Sequence, residues 1–266
     1  MQADGKSRHT IMKYVSDVRQ FLDRTGNEDV SGMSRETVQE YRSHLSRMYR
    51  PASANSKISA VNYFLKTEGR NDLCAKHLKV QHNLFRPAER ELTREEYFRL
   101  LKTAEKRGNH RLNMLMKTIA STGIRVSEVP FVTVESLAEQ TITITLKGKS
   151  RNVLMPSKLC LQLKEYAEQQ NIRSGRIFIT RNGNPLDRTN IIHDMKELCE
   201  EAGVARNKVF PHNLRHLFAV TYYQSVKDLS HLADILGHSN LNTTRIYTSM
   251  SYSEHLKQIE QIGLLD

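Results

Sequence analysis

The sequence has no tryptophan, three cysteines and six prolines in 266 residues, and no apolar run near the roughly 18 residues of a membrane span. A membrane-spanning helix is therefore not expected. Cys74, Cys160 and Cys199 are odd in number, far apart and without a CxxC pair. They read as thiols of a reducing compartment, neither a disulfide framework nor a zinc site. The opening "MQADGKSRHT" lacks the apolar segment of a signal peptide, so the expected address is the cytoplasm. Internal repeats and low-complexity tracts are also missing.

What is abundant is positive charge. Forty Lys and Arg stand against 29 Asp and Glu, a net +11, and residues 1–85 and the remainder are both basic. Such a field suits a polyanionic partner. Apolar residues recur at helical spacing in 8–26, 34–49 and 53–69, with Ser34 a candidate N-cap and Gly26 and Gly69 as stops. A short fourth helix is expected at "DLCAKHL". The pattern predicts an all-helical domain over 1–78, and Arg42, Arg47, Arg50, Lys57 and Lys66 on it are candidate DNA contacts.

The aperiodic stretch 79–91 reads as a linker. Beyond it, 92–266 form a second domain. "LTREEYFRLLKTAEK" opens with a capping box, Thr93 with Glu96, and "HRLNMLMKTIASTG" is a helix ending at Gly123. "TITITLKGKSRNVLMP" alternates with a period of two around a Lys-Gly-Lys-Ser turn, a hairpin. "RIFITRNGNPLD" suggests a further short strand. Helices are expected again at 189–202, 212–226, 228–236 and 242–248, then an amphipathic tail helix over 253–264. The fold class is mainly α with a small antiparallel sheet, in two domains.

Four places carry side chains suited to chemistry: Arg125 after a helix-ending glycine, Lys147 and Lys149 in the hairpin turn, His212 and Arg215 one helical turn apart, and His238 nine residues before Tyr247. Singly, each has a plain reading as a surface, turn or packing residue, and His212 with His216 at i, i+4 also admits a zinc site. Together, two arginine forks suit nonbridging phosphate oxygens, imidazoles and a lysine can move protons, and a phenol can attack phosphorus. No metal or other cofactor is expected. The chemistry read from this set is transesterification at a phosphodiester.

In the order "TGIRVSE", hairpin lysine, "HNLRH", "LGH", "RIYT", the chain resembles the tyrosine recombinase (phage integrase) family over nearly its whole length, with short mobile-element integrases and Xer-type enzymes the nearest likenesses. That resemblance implies a SAM-like core-binding bundle in 1–78 and a catalytic domain after it. It implies that Arg125 and Arg215 clamp the scissile phosphate and that His212 assists deprotonation of the nucleophile. Lys147, or else Lys149, protonates the leaving 5′-oxygen; His238 hydrogen-bonds the phosphate, and Tyr247 attacks to give a 3′-phosphotyrosyl link. Glu128 would orient the active-site arginine. Apart from the resemblance, Lys149 and Arg151, at and beside the basic hairpin turn, are further candidate DNA contacts. Pro130 and Leu217 depart from the family pattern at positions without a catalytic role.

The same resemblance implies a double-stranded recombination site as partner, four protomers on two duplexes with a dimer on each site, an accessory directionality factor, and a tail that packs on a neighbouring protomer. A type IB topoisomerase shares the residue set, and strand exchange between duplexes, against relaxation alone, separates it from a recombinase. A non-catalytic DNA-binding regulator on the same fold is the third reading; the complete set of six residues argues against it, and covalent trapping lost in Tyr247→Phe tests it. Should Tyr247 not be the nucleophile, Tyr222, Tyr223 and Tyr252 come next.

Overall fold

Three helices account for most of the first unit: α1 (Arg8–Thr25), α2 (Arg35–Met48) and α3 (Pro51–Thr67). Ser7 and Ser34 cap α1 and α2 through their side chains, and Gly26 ends α1 in the left-handed region. A computed structural model describes residues 7–26, 30–80, 90–146, 148–238, 240–247 and 260, in two compact units, Met1–Asn83 and Leu84–Asp266. In the first unit Phe21, Val38, Tyr41, Leu45, Ile58, Val61 and Leu65 meet in one core. Asp17, buried at its edge, is neutralised by Lys13 at 2.7 Å and Lys57 at 2.9 Å.

The expected fourth helix is absent from "DLCAKHL". Only a 3-10 turn at Asn71–Leu73 forms, and the chain then runs without regular structure. The cause lies in α3. Asn62 exchanges hydrogen bonds with the backbone N–H and carbonyl of Ala75, and Asn55 does the same with Leu78. Two amides seven residues apart share a helix face, and they satisfy backbone groups that a helix would otherwise have paired.

The second unit is built around α5 (His110–Thr122), preceded by α4 (Arg94–Lys106), whose Thr93–Glu96 capping box is present. Leu112, Met114, Leu115, Met116 and Ile119 are buried on several sides of α5, as befits a central helix. Its buried Thr118 and Thr122 return their hydroxyls to carbonyls one turn back. A 3-10 segment (Val126–Phe131) and α6 (Val134–Ala138) lead into the antiparallel hairpin of β1 (Thr141–Leu146) and β2 (Lys149–Leu154). The register sets Leu146 opposite Lys149, Ile144 opposite Arg151 and Ile142 opposite Val153.

Then come α7 (Ser157–Gln169), α8 (Arg188–Glu197), α9 (Cys199–Ala202), α10 (Pro211–Val226), α11 (Leu229–Leu236) and α12 (Leu241–Thr244), with a closing 3-10 turn at Arg245–Tyr247. The expected strand in "RIFITRNGNPLD" reduces to isolated bridges, Thr133 with Arg176 and Ile179 with Pro185. A second, small apolar cluster joins Ala219, Leu232, Leu236 and Tyr247. The linker core and the tail, save Glu260, lie outside the described residues. Among the described residues no helix is long and apolar enough to cross a membrane.

Candidate active site

Gly123 ends α5 with φ +66°, and a Cβ there would meet the Phe218 ring at 2.5 Å. Both constraints demand glycine, and the sharp exit lets the chain re-emerge extended at Arg125. Glu128, three residues on and 1% exposed, takes the Arg125 backbone N–H on Oε2 at 2.7 Å and its Nη1 on Oε1 at 3.1 Å. The Arg125 side chain stays 41% exposed, with one end of its guanidinium held by Glu128.

Arg215 is the buried counterpart, 2% exposed. Its Nη1 donates to the Gly123 carbonyl at 2.6 Å, and its Nη2 to the Leu236 carbonyl at 2.8 Å and to His238 Nε2 at 2.9 Å. These contacts engage three of its five donors. Burial, followed by repulsion from Arg125, lowers its pKa to about 10, while the Tyr247 phenol beside it, Glu128 and a hydrogen bond to Tyr247 pull it back up.

An arginine only donates, so His238 Nε2 accepts. The proton of the neutral ring is therefore on Nδ1, which donates to Thr244 Oγ1 at 2.9 Å. Desolvation, then Arg215, Arg125, Arg151 and His212, depress His238 to about 4, so the ring is neutral at physiological pH. Tyr247 is 4% exposed; its ring stacks on His238 at 6.2 Å and meets His216 edge-on at 5.2 Å. One short segment, 238–247, thus presents imidazole and phenol to the same guanidinium.

His212, at the exposed start of α10, lines a cleft of about 220 Å³ with Arg125 and Arg215. The same cleft contains Ser127 and Arg188, which sequence reasoning missed. Thr244, fully buried, was also missed. Nothing in the local pattern distinguishes Arg188 from a solvated helix-start arginine. Thr244, by contrast, stands six residues after His238 in the motif segment.

The other expected residues fare differently. Lys147 lies outside the described residues, and Lys149 opens β2 opposite Leu146. Arg151 was expected on DNA, but it is half-buried and turned to Glu128, with Nη1 on Oε1 at 3.1 Å and Nη2 on Oε2 at 2.9 Å. The reason is register, since its neighbours on the same hairpin face, Ile144 and Val153, are core residues. In the first unit Lys57 is committed to Asp17, Gln20 and the Tyr49 ring, and Arg42 gives Nε to the Lys76 carbonyl. Arg47, Arg50 and Lys66 are exposed.

The zinc alternative for His212 and His216 has no support. His216 is buried, 3.6 Å from Glu91, and no group of three metal-ligating side chains occurs among the described residues. Tyr222 and Tyr223 pack around the Tyr247 cluster, Tyr222 reaching His231; Tyr252 lies outside the described residues.

Both units match known proteins. Residues 90–254 match the model of the phage integrase family, and residues 1–69 that of the phage integrase N-terminal SAM-like domain. The tyrosine recombinase XerA of Thermococcus kodakarensis is 30% identical over 98% of this chain and 91% of its own. Two solved structures share the fold. The XerH site-specific recombinase bound to its difH substrate in a pre-cleavage complex has a TM-score of 0.71 at 22% identity, covering 96% of this chain and 80% of that one. A lambda integrase tetramer bound to a Holliday junction has a TM-score of 0.69 at 16% identity, covering 91% and 72%. With both units matched by the family's models, the chain belongs to the phage integrase family.

Proposed function

We propose that this tyrosine-type site-specific DNA recombinase cuts each strand with Tyr247. The phenol oxygen bonds to phosphorus as the bond to the 5′-oxygen breaks, leaving a 3′-phosphotyrosyl link and a free 5′-hydroxyl. His212, at the cleft mouth, helps take the phenol proton, and Lys147 returns a proton to the leaving oxygen. Arg125 and Arg215 offer their remaining N–H groups to the nonbridging oxygens, where charge accumulates in the transition state. The partner strand's 5′-hydroxyl then attacks the tyrosyl link and regenerates the phenol, so the bond energy is conserved.

One observation carries this reading: Arg215, His238 and Tyr247 form a single contact cluster within one unit of one chain. His238 must change role in it. While Nε2 accepts from Arg215 it has no proton for a phosphate oxygen. An arriving phosphodiester offsets the arginines that depress the imidazole and draws Arg215 donors to itself, so Nε2 gains a proton and becomes a donor.

Exchange between two duplexes needs four cuts, hence four protomers with two on each site. The basic first unit supplies sequence-independent phosphate contacts through Arg47, Arg50 and Lys66. A nicked suicide substrate tests the nucleophile: wild type is expected to accumulate a covalent DNA adduct and Tyr247→Phe none. Equal trapping by Tyr247→Phe would overturn the assignment.

A further inference from the structure

Glu128 accepts four hydrogen bonds, two from Arg125 and two from Arg151. The Arg151 fork engages both carboxylate oxygens, a bidentate match that lysine cannot reproduce. Its Nε is buried and has no hydrogen-bond partner among the described residues. A guanidinium aimed at solvent or phosphate would not be left in that state.

The same side chain lies against the "LGH" glycine. A Cβ on Gly237 would come within 2.6 Å of Arg151 Cδ, Nε and Nη1, and Gly237 has φ +62°. His238 follows directly. Arg151 therefore touches three segments of the site: its own hairpin strand β2, the Arg125–Glu128 turn, and the loop that delivers His238.

We propose that Arg151 is a positioning residue for strand cleavage, fixing Arg125 through Glu128 and fixing the approach of His238 by covering Gly237. This role rests on Arg125, His238 and Tyr247 being the cleavage machinery. It differs from the DNA contact expected of Arg151, because the side chain acts inside the protein and meets no phosphate. Its burial and its Glu128 partner set the geometry, and the field it adds at His238 is a secondary effect.

The experiment compares wild type, Arg151→Gln, Arg151→Lys, Glu128→Gln and the Arg151→Gln/Glu128→Gln double variant. Two quantities are read: the single-turnover rate of covalent complex formation at saturating DNA, and the affinity for one recombination half-site across a salt series. Arg151→Gln is expected to cleave about 100-fold more slowly, the scale of an ångström-level misplacement. Its slope of log affinity against log salt should equal that of wild type. Arg151→Lys should recover part of the rate, and the double variant should be no slower than the slower single variant, because the two residues act as one unit.

A salt slope shallower by about 0.9 would reveal a lost phosphate contact and overturn the proposal. Multiplying defects in the double variant, or an unchanged rate, would overturn it too. If thermal melting shows Arg151→Gln to be unfolded, Arg151→Lys decides: wild-type cleavage by that folded variant sinks the positioning role. Absence of an adduct with wild type would instead fail the reading of the site itself, which separates the two failures.

Discussion

The two units handle positive charge in opposite ways. In the first, Arg47, Arg50 and Lys66 stand at the surface, and Lys57, drawn partly in, is spent neutralising Asp17. In the second, Arg215 and Arg151 are drawn under the surface and locked by carbonyls, an imidazole and a carboxylate. Surface cations act additively and are screened by salt. Buried cations held by several partners form a network in which removing one member disturbs the rest. The first arrangement suits contact with a long polyanion, and the second holds a few atoms in fixed geometry.

The comparison breaks most visibly at Arg215. Arg215→Gln strands the carbonyls of Gly123 and Leu236 and the acceptor nitrogen of His238, so it should cost about 1–3 kcal/mol in urea unfolding per unsatisfied buried group. It should also slow adduct formation by about 10²–10³-fold, the usual loss for one transition-state donor. Thr244→Val comes next. It preserves shape but removes the acceptor of His238 Nδ1–H, and a single lost partner of about 1.4 kcal/mol would slow cleavage roughly tenfold. Wild-type rates in either variant would mean that the network is ornamental.

Arg47→Gln should sit at the other extreme. At saturating DNA its cleavage rate should match wild type, while its salt slope falls by about 0.9, the signature of one lost phosphate contact. A rate defect there would erase the contrast between the units.

The smallest effect is one of protonation. His238, held neutral by burial and the arginines, should titrate near pH 4 by NMR in the DNA-free protein. An inflection near the ordinary 6.5 would contradict the geometry. Because the folded pKa is below the unfolded one, the unfolded chain binds the extra proton between those values. His238 therefore favours folding fully above about pH 6.5, and that contribution is lost as pH falls toward 4.

Much of this site was legible in the sequence because its signals are local. Gly123 announced the turn before Arg125, the alternating threonines announced the hairpin, and Pro211 to Arg215 announced two side chains on one helix face. What stayed hidden depends on distant pairing. Arg215 finds its carbonyl partner 92 residues away, and Glu128 meets Arg151 across 23. Arg151 could have been read inward, since it alternates with Val153 on β2, but a basic residue beside a basic turn suggested DNA. The helix expected after Leu73 failed for a similar reason: Asn55 and Asn62 on α3 compete for its backbone, and nothing within the segment shows it.

The account stands or falls on which oxygen attacks. The adduct formed by wild type on a suicide substrate can be digested and the DNA-linked peptide mapped by mass spectrometry. The expected link is through the Tyr247 phenol, in the peptide that begins after Arg245. Attachment at Tyr222, Tyr223 or Tyr252, or an adduct that survives intact in Tyr247→Phe, would contradict it.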